Sequence, residues 1–211
     1  MDKNQPFVIT ISREMGSGGH TIGKKLAEKL GVRFCDKQVM HQLMKEYGLT
    51  ASEIERIKAK KKSWLGDFFD RVAPVARSEV YLQSSASEPA IPGITADDIL
   101  TSEKEILSAL VAEGSCVVAG RAAFAILKDH PNKIDVFIRS TKEKRIQRVA
   151  AKQGLTPEQA EGLIDSIDEG RENYVKRLCG RSRYDIRNYD LVLNAAQFSE
   201  EQILEEILKL V

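Results

Sequence analysis

The chain has 211 residues, 42% of them hydrophobic, 30% charged and 6% aromatic, enough apolar material for one sizeable core and hence one expected domain. Lys plus Arg number 32 against 31 Asp plus Glu, a formal net charge of +1, which excludes the global positive field of a dedicated nucleic-acid binder, so any anion site must be local. No run reaches the roughly 18 apolar residues of a membrane span, MDKNQPFVITIS lacks the parts of a signal peptide, and Cys35, Cys116 and Cys179 show no CxxC spacing. A cytoplasmic protein with reduced, mostly core thiols and neither membrane nor nucleic-acid partner is expected.

Phe7 to Ile11 is a β-rich apolar run, followed by the glycine cluster Gly16-Ser17-Gly18-Gly19 and a helical pattern with Ile22, Leu26, Ala27 and Leu30 on one face. A short strand from Val32 to Cys35 ends at Asp36, and helices are predicted over about 37–47 and over ASEIERIKAKKK, whose charge run Lys58 to Lys62 reads as a solvated face. Residues 63–98 form an irregular insertion: Trp64, Phe68 and Phe69 suggest one amphipathic turn, whereas Pro89 and Pro92 mark a loop. Periodicity returns with a helix from Ile99 to Glu113, a strand from Cys116 to Ala119, the pair Gly120-Arg121, and a helix through Leu127. A strand from Ile134 to Ile138, a helix from Thr141 to Gln153, a long helix from Thr156 to about Cys179, a strand from Leu191 to Asn194 and a final helix to Val211 complete the chain.

Five short apolar strands alternating with helices predict a doubly wound α/β domain, its parallel sheet covered on both faces. Ligands of such sheets bind beyond the carboxyl ends of the strands, which directs attention to Arg13 to Thr21, Asp36, Gly120 with Arg121, Arg139 and Asn194. The segment Arg13 to Thr21 has the glycines that let successive N–H groups converge on an anion and the helix start whose dipole favours one. Compared with GxxxxGK[ST], Arg13 stands at the first glycine position and Gly19 at the lysine position, so a glycine turn without ligand remains the alternative for this loop taken alone.

Five blocks in order, ITISREMGSGGHTIGKKLAEKLG, FCDKQVM, CVVAGRAAFAIL, VFIRSTKEKRIQRV and YDLVLNA, resemble the cytidylate kinase-like family of P-loop nucleoside-monophosphate kinases. The resemblance runs from residue 8 to the C-terminus apart from residues 63–98, and its most specific block is the first, with SR followed by GSGG. It implies a P-loop NTPase fold in which Gly16, Ser17, Gly18, Gly19, His20 and Thr21 bind the phosphates of ATP and the Thr21 hydroxyl is placed toward Mg²⁺. Asp36 and Arg121 then belong to the acceptor site, and Arg171, Arg177, Arg181 and Arg183 to an arginine-bearing lid over about 171–188, hinged at Gly180. Arginine forks suit phosphoryl transfer because they bind phosphate oxygens bidentately.

The chain departs from the family pattern at two places. Gly19 removes the loop lysine, leaving Arg13 and His20 as substitutes that would serve catalysis with Arg177 and Arg181, and Arg121 is followed by Ala122-Ala123 where cytidylate kinases carry aspartate. The expected activity is Mg²⁺-dependent transfer from ATP to a small acceptor, a nucleoside monophosphate such as CMP. A nucleotide-binding sensor with little turnover and a P-loop kinase for a non-nucleotide metabolite are the alternatives.

Overall fold

Strand β1 (Val8–Arg13) is the axis of the molecule. It lies between β3 (Cys116–Ala119) and β4 (Lys133–Arg139), with β2 (Arg33–Cys35) outside β3 and β5 (Leu191–Asn194) outside β4, in the order β2-β3-β1-β4-β5. Every pairing is parallel; Val8 stands opposite both Cys116 and Lys133, and Arg13 opposite Ile138. The computed structural model that shows this describes residues 1–36, 38–51, 53–54 and 94–211. The Lys58 to Lys62 run and the aromatic residues Trp64, Phe68 and Phe69 lie outside the described residues.

Parallel strands need crossovers, and the helices that supply them cover both faces of the sheet. On one face α1 (Gly19–Leu30) and α7 (Glu200–Leu208) bring Ile22, Leu26, Ile203 and Ile207 against Ile9, Ile11, Val136 and Ile138. On the other, α2 (Gln38–Tyr47), α3 (Ala96–Ala112) and the single turn α4 (Ala123–Ile126) pack Leu43, Ile99, Leu107 and Ala123 against Val8, Cys35, Cys116 and Val118. The remaining helices, α5 (Lys142–Gln153) and α6 (Pro157–Cys179), pair through Val149, Ala160, Leu163 and Ile164, with Met15 of the glycine loop touching that cluster. Among the described residues no helix is long and apolar enough to cross a membrane.

Several boundaries differ from the sequence reading, each for a local reason. α3 starts at Ala96, inside the expected insertion, because Thr95 and Asp98 form a reciprocal capping box. β1 runs two residues past Ile11, since Ser12 and Arg13 stay in register with Phe137 and Ile138 of β4. Strand β4 gains Lys133 and Arg139, and α7 stops at Leu208, short of Val211.

Candidate active site

The glycine loop leaves β1 through the N–H of Glu14, which donates to the Ile138 carbonyl at 3.1 Å, and turns at Ser17, whose N–H and hydroxyl both donate to the Glu14 carbonyl. Gly16 (φ 82°) and Gly18 (φ 88°) are left-handed, and Gly18 sits immediately before α1 with no side chain capping the helix. The N–H groups of Gly19, His20 and Thr21 therefore open the helix without intrahelical acceptors, as a phosphate cradle requires. Two helices brace the loop from outside. Arg148 of α5 donates to the Gly16 carbonyl at 3.0 Å, and Asp168 of α6 accepts from the Met15 N–H at 3.0 Å.

Beside the loop, at the carboxyl ends of β1 and β3, lies a cleft walled by Ser12, Arg13, Gly120, Arg121, Arg171 and Arg183. Burial pulls the Arg13 guanidinium down to about 9, with the like charges of Arg171, Arg121 and Arg183 adding to the effect and Asp36 opposing it. Arg171 is lowered for the same reasons, burial first and Arg183 next. These are the marks of a site with cationic charge to spare for an anion.

Buried carboxylates hold the wall in place. Asp168 accepts from Arg145, from Arg171 at 3.2 Å and from Arg183 at 3.3 Å, while Arg171 and Arg183 also donate to the main-chain carbonyl of Arg13. Glu103 of α3, fully buried, faces Arg121 at 3.5 Å with one oxygen and accepts from the Tyr174 hydroxyl at 2.7 Å with the other. Arg121 sits in a turn closed by the Ala123 N–H on the Gly120 carbonyl. Gly120, Arg121 and Ala122 all have positive φ there (79°, 56° and 49°), strain of the kind that persists where the surroundings over-determine a functional position.

The other sequence-predicted residues divide between the cleft and the surface. His20 turns from the loop to Asp36, Nε2 to Oδ2 2.8 Å, and Asp36 also lies 3.9 Å from Arg13, so the residue expected for the acceptor is tied to both lysine substitutes. Thr21 is exposed as the third residue of α1, and it is His20 that directly follows Gly19. Arg177 and Arg181 are exposed and stand apart from the cleft wall, on either side of Gly180, whose left-handed φ of 71° ends α6. Lys24, a further cation one turn on, pairs with Glu28 at the surface.

The sequence reading missed Asp168, Glu103, Arg145, Arg148 and the role of Gly120. Asp168 and Glu103 did leave a signal: each is an acid on the apolar stripe of its helix, Glu103 four residues from both Ile99 and Leu107, Asp168 four from Ile164 and seven from Val175.

A parallel sheet of order β2-β3-β1-β4-β5 with a glycine loop joining its central strand to the first helix defines a P-loop protein of the kinase type. Residues 8–197 match the model of the cytidylate kinase-like family, and the chain belongs to that family. A cytidylate kinase of Archaeoglobus fulgidus is 28% identical over 210 residues, covering 96% of this chain and 93% of that one. An uncharacterized protein from Eubacterium ventriosum, solved as a crystal structure, is 24% identical with a TM-score of 0.65 over 97% of both chains. Shikimate kinase from Bacteroides thetaiotaomicron, 16% identical over 97% of each chain, shares the fold at a TM-score of 0.50.

Proposed function

We propose that the protein transfers the γ-phosphoryl group of ATP to the phosphate of a nucleoside monophosphate, with CMP the first candidate. The observation that carries this reading is the convergence of Arg13, Arg121, Arg171 and Arg183 on one cleft beside the glycine loop. An acceptor phosphate oxygen attacks the γ-phosphorus, the bond to the ADP oxygen breaks, and charge spreads over the equatorial oxygens in between. Gly16 to Thr21 hold the donor phosphates by main-chain N–H groups, Arg121 orients the acceptor phosphate, and Arg171 and Arg183 stabilise the developing charge. Arg177 and Arg181 join them only when the segment around Gly180 folds inward over bound substrates. The naming of CMP rests on the family and on relatives called cytidylate kinases.

Among the described residues no three acidic, His or Cys side chains converge into a cation cage. Mg²⁺ suits such a site all the same, because it keeps its waters and binds through phosphates plus one or two protein oxygens, of which the exposed Thr21 hydroxyl in the first turn of α1 would supply one. When bound, it would neutralise charge between the donor phosphates.

ATP consumption with a panel of nucleoside monophosphates and hydroxyl metabolites tests the reading, beside calorimetry with a nonhydrolysable ATP analogue. Turnover with CMP, and loss of ATP binding in a folded Gly18→Val variant, are expected, since Gly18 is left-handed and its added side chain would point at the flexible tip of Arg148. Turnover with a hydroxyl metabolite alone would reassign the acceptor, and binding without any turnover would make the protein a sensor.

A further inference from the structure

We propose that Arg13 supplies, from the end of β1, the positive charge that kinases of this class carry as a lysine at the position held here by Gly19, and that Gly19 and Gly120 are glycines because Arg13 occupies their side-chain space. The proposal rests on the phosphoryl-transfer reading above and names the group that completes it.

A Cβ at Gly19 would lie 2.6 Å from the Cβ of Arg13 and 3.1 Å from its Cγ, so the stem of Arg13 fills the volume in which a lysine at 19 would begin. Real Cβ atoms do not approach so closely, and the atoms met belong to the rigid start of the side chain. At the far end, a Cβ at Gly120 would collide with Nη1 of Arg13. Arg13 is thus laid across two glycines, stem on Gly19 and head on Gly120, and its guanidinium reaches the cleft it shares with Arg121, Arg171 and Arg183.

Its main chain is fixed as firmly. Arg13 is paired in register with Ile138, and its carbonyl receives Arg171 and Arg183. The neighbouring basic side chains are directed elsewhere: the His20 ring to Asp36 at 2.8 Å, the carboxylate that Arg13 only approaches at 3.9 Å, Lys24 to Glu28 and Lys25 to Glu200. Arg148 is held by the Gly16 carbonyl, its guanidinium beside Gly18.

The test uses the full chain with ATP, Mg²⁺ and CMP. Arg13→Ala lowers kcat by about 10²- to 10³-fold, the usual loss for one donor aimed at transition-state charge, while the affinity for a nonhydrolysable ATP analogue changes less than about threefold. Gly19→Lys alone is inactive or misfolded, because its stem has no room. The double variant Arg13→Gly/Gly19→Lys, which removes the Cβ at 13 together with the rest of the stem, runs at least about tenfold faster than Arg13→Gly, a rescue that a packing role for Arg13 would not produce. An Arg13→Ala enzyme within about threefold of the wild type overturns the proposal, as does a folded Arg13→Gly/Gly19→Lys variant no faster than Arg13→Gly. Absence of wild-type turnover with every nucleoside monophosphate overturns the phosphoryl-transfer reading and the proposal with it, and is distinguished by being seen before any substitution is made.

Discussion

The basic segment that closes α6 carries two pairs of arginines, and the pairs are placed oppositely. Arg171 and Arg183 turn inward, Arg183 to 4% exposure, and share Asp168, whereas Arg177 and Arg181 stand in solvent. Local density of arginine is the same at both, so density does not decide placement. A buried carboxylate does: a guanidinium leaves water only where an acid already held by the fold repays its desolvation, and Asp168 is held by the Met15 N–H and Arg145. The glycine loop, α6 and the cleft thereby share one counterion.

Removing that counterion is the most direct way to break the comparison. Asp168→Asn keeps the shape and deletes the charge, leaving Arg145, Arg171 and Arg183 facing one another; a loss of about 3–5 kcal/mol of stability is expected from stranding buried charges. In the surviving folded protein kcat should fall by about 10²-fold or more. Urea unfolding and kinetics at low temperature measure both, and near-wild-type values would show that the arginines hold their places without Asp168.

Next in size comes Arg121→Ala, expected to lower kcat/KM for the acceptor by a factor of about 10–1000 with ATP affinity hardly moved, since charged hydrogen bonds contribute about 1.5–3 kcal/mol. Equal loss of ATP binding would place Arg121 on the donor side. The outer arginines should matter less: Arg177→Ala and Arg181→Ala are expected to lower kcat by no more than about tenfold, against about 10²-fold for Arg171→Ala. If the outer pair costs as much as Arg171, the segment around Gly180 must close fully during turnover, and hydrogen exchange over residues 171–190 with ATP analogue and CMP would show its protection.

The smallest effect sharpens the contrast at the third supported arginine. Ala122→Gly relieves a left-handed alanine at φ 49° without touching Arg121, and should raise stability by a few tenths to about 1 kcal/mol, the left-handed penalty less the entropy of glycine. A fall in melting temperature would mean that the buried methyl of Ala122, packed with Phe124 and Val175, contributes more than its left-handed backbone costs.

How much of this was legible follows the range of the interactions. The strand-loop-helix start, the alternation of strands and helices and the parallel sheet are local patterns, and they were read from Phe7 to Ile11, Gly16 to Gly19 and Ile22 to Leu30. Thr95 with Asp98 is a capping signal too, but it lies among the prolines and polar residues of an irregular stretch, where no apolar periodicity precedes it. Arg13, Asp36, Arg121, Arg171 and Arg183 were singled out, and the chain brings Arg13, Arg121, Arg171 and Arg183 to one cleft with Asp36 at its edge. What escaped was partnership: Asp168 meets Met15 across 153 residues, and Tyr174 meets Glu103 across 71, distances over which no periodicity speaks.

The central position of β1 has a consequence for how the chain is made. Its hydrogen-bonding neighbours are residues 116–119 and 133–138, so the strand that leads into the glycine loop can be completed on neither side until about a hundred further residues have been synthesised. At about 5–20 residues per second, the apolar run from Val8 to Ile11 waits roughly 6–25 seconds on the ribosome before β4 emerges to flank it. During that interval it is an unpaired, β-prone segment near the amino terminus. Folding of this molecule is therefore tied to late, long-range closure, with the slow kinetics such closure brings and an opening for chaperones to cover the first strand.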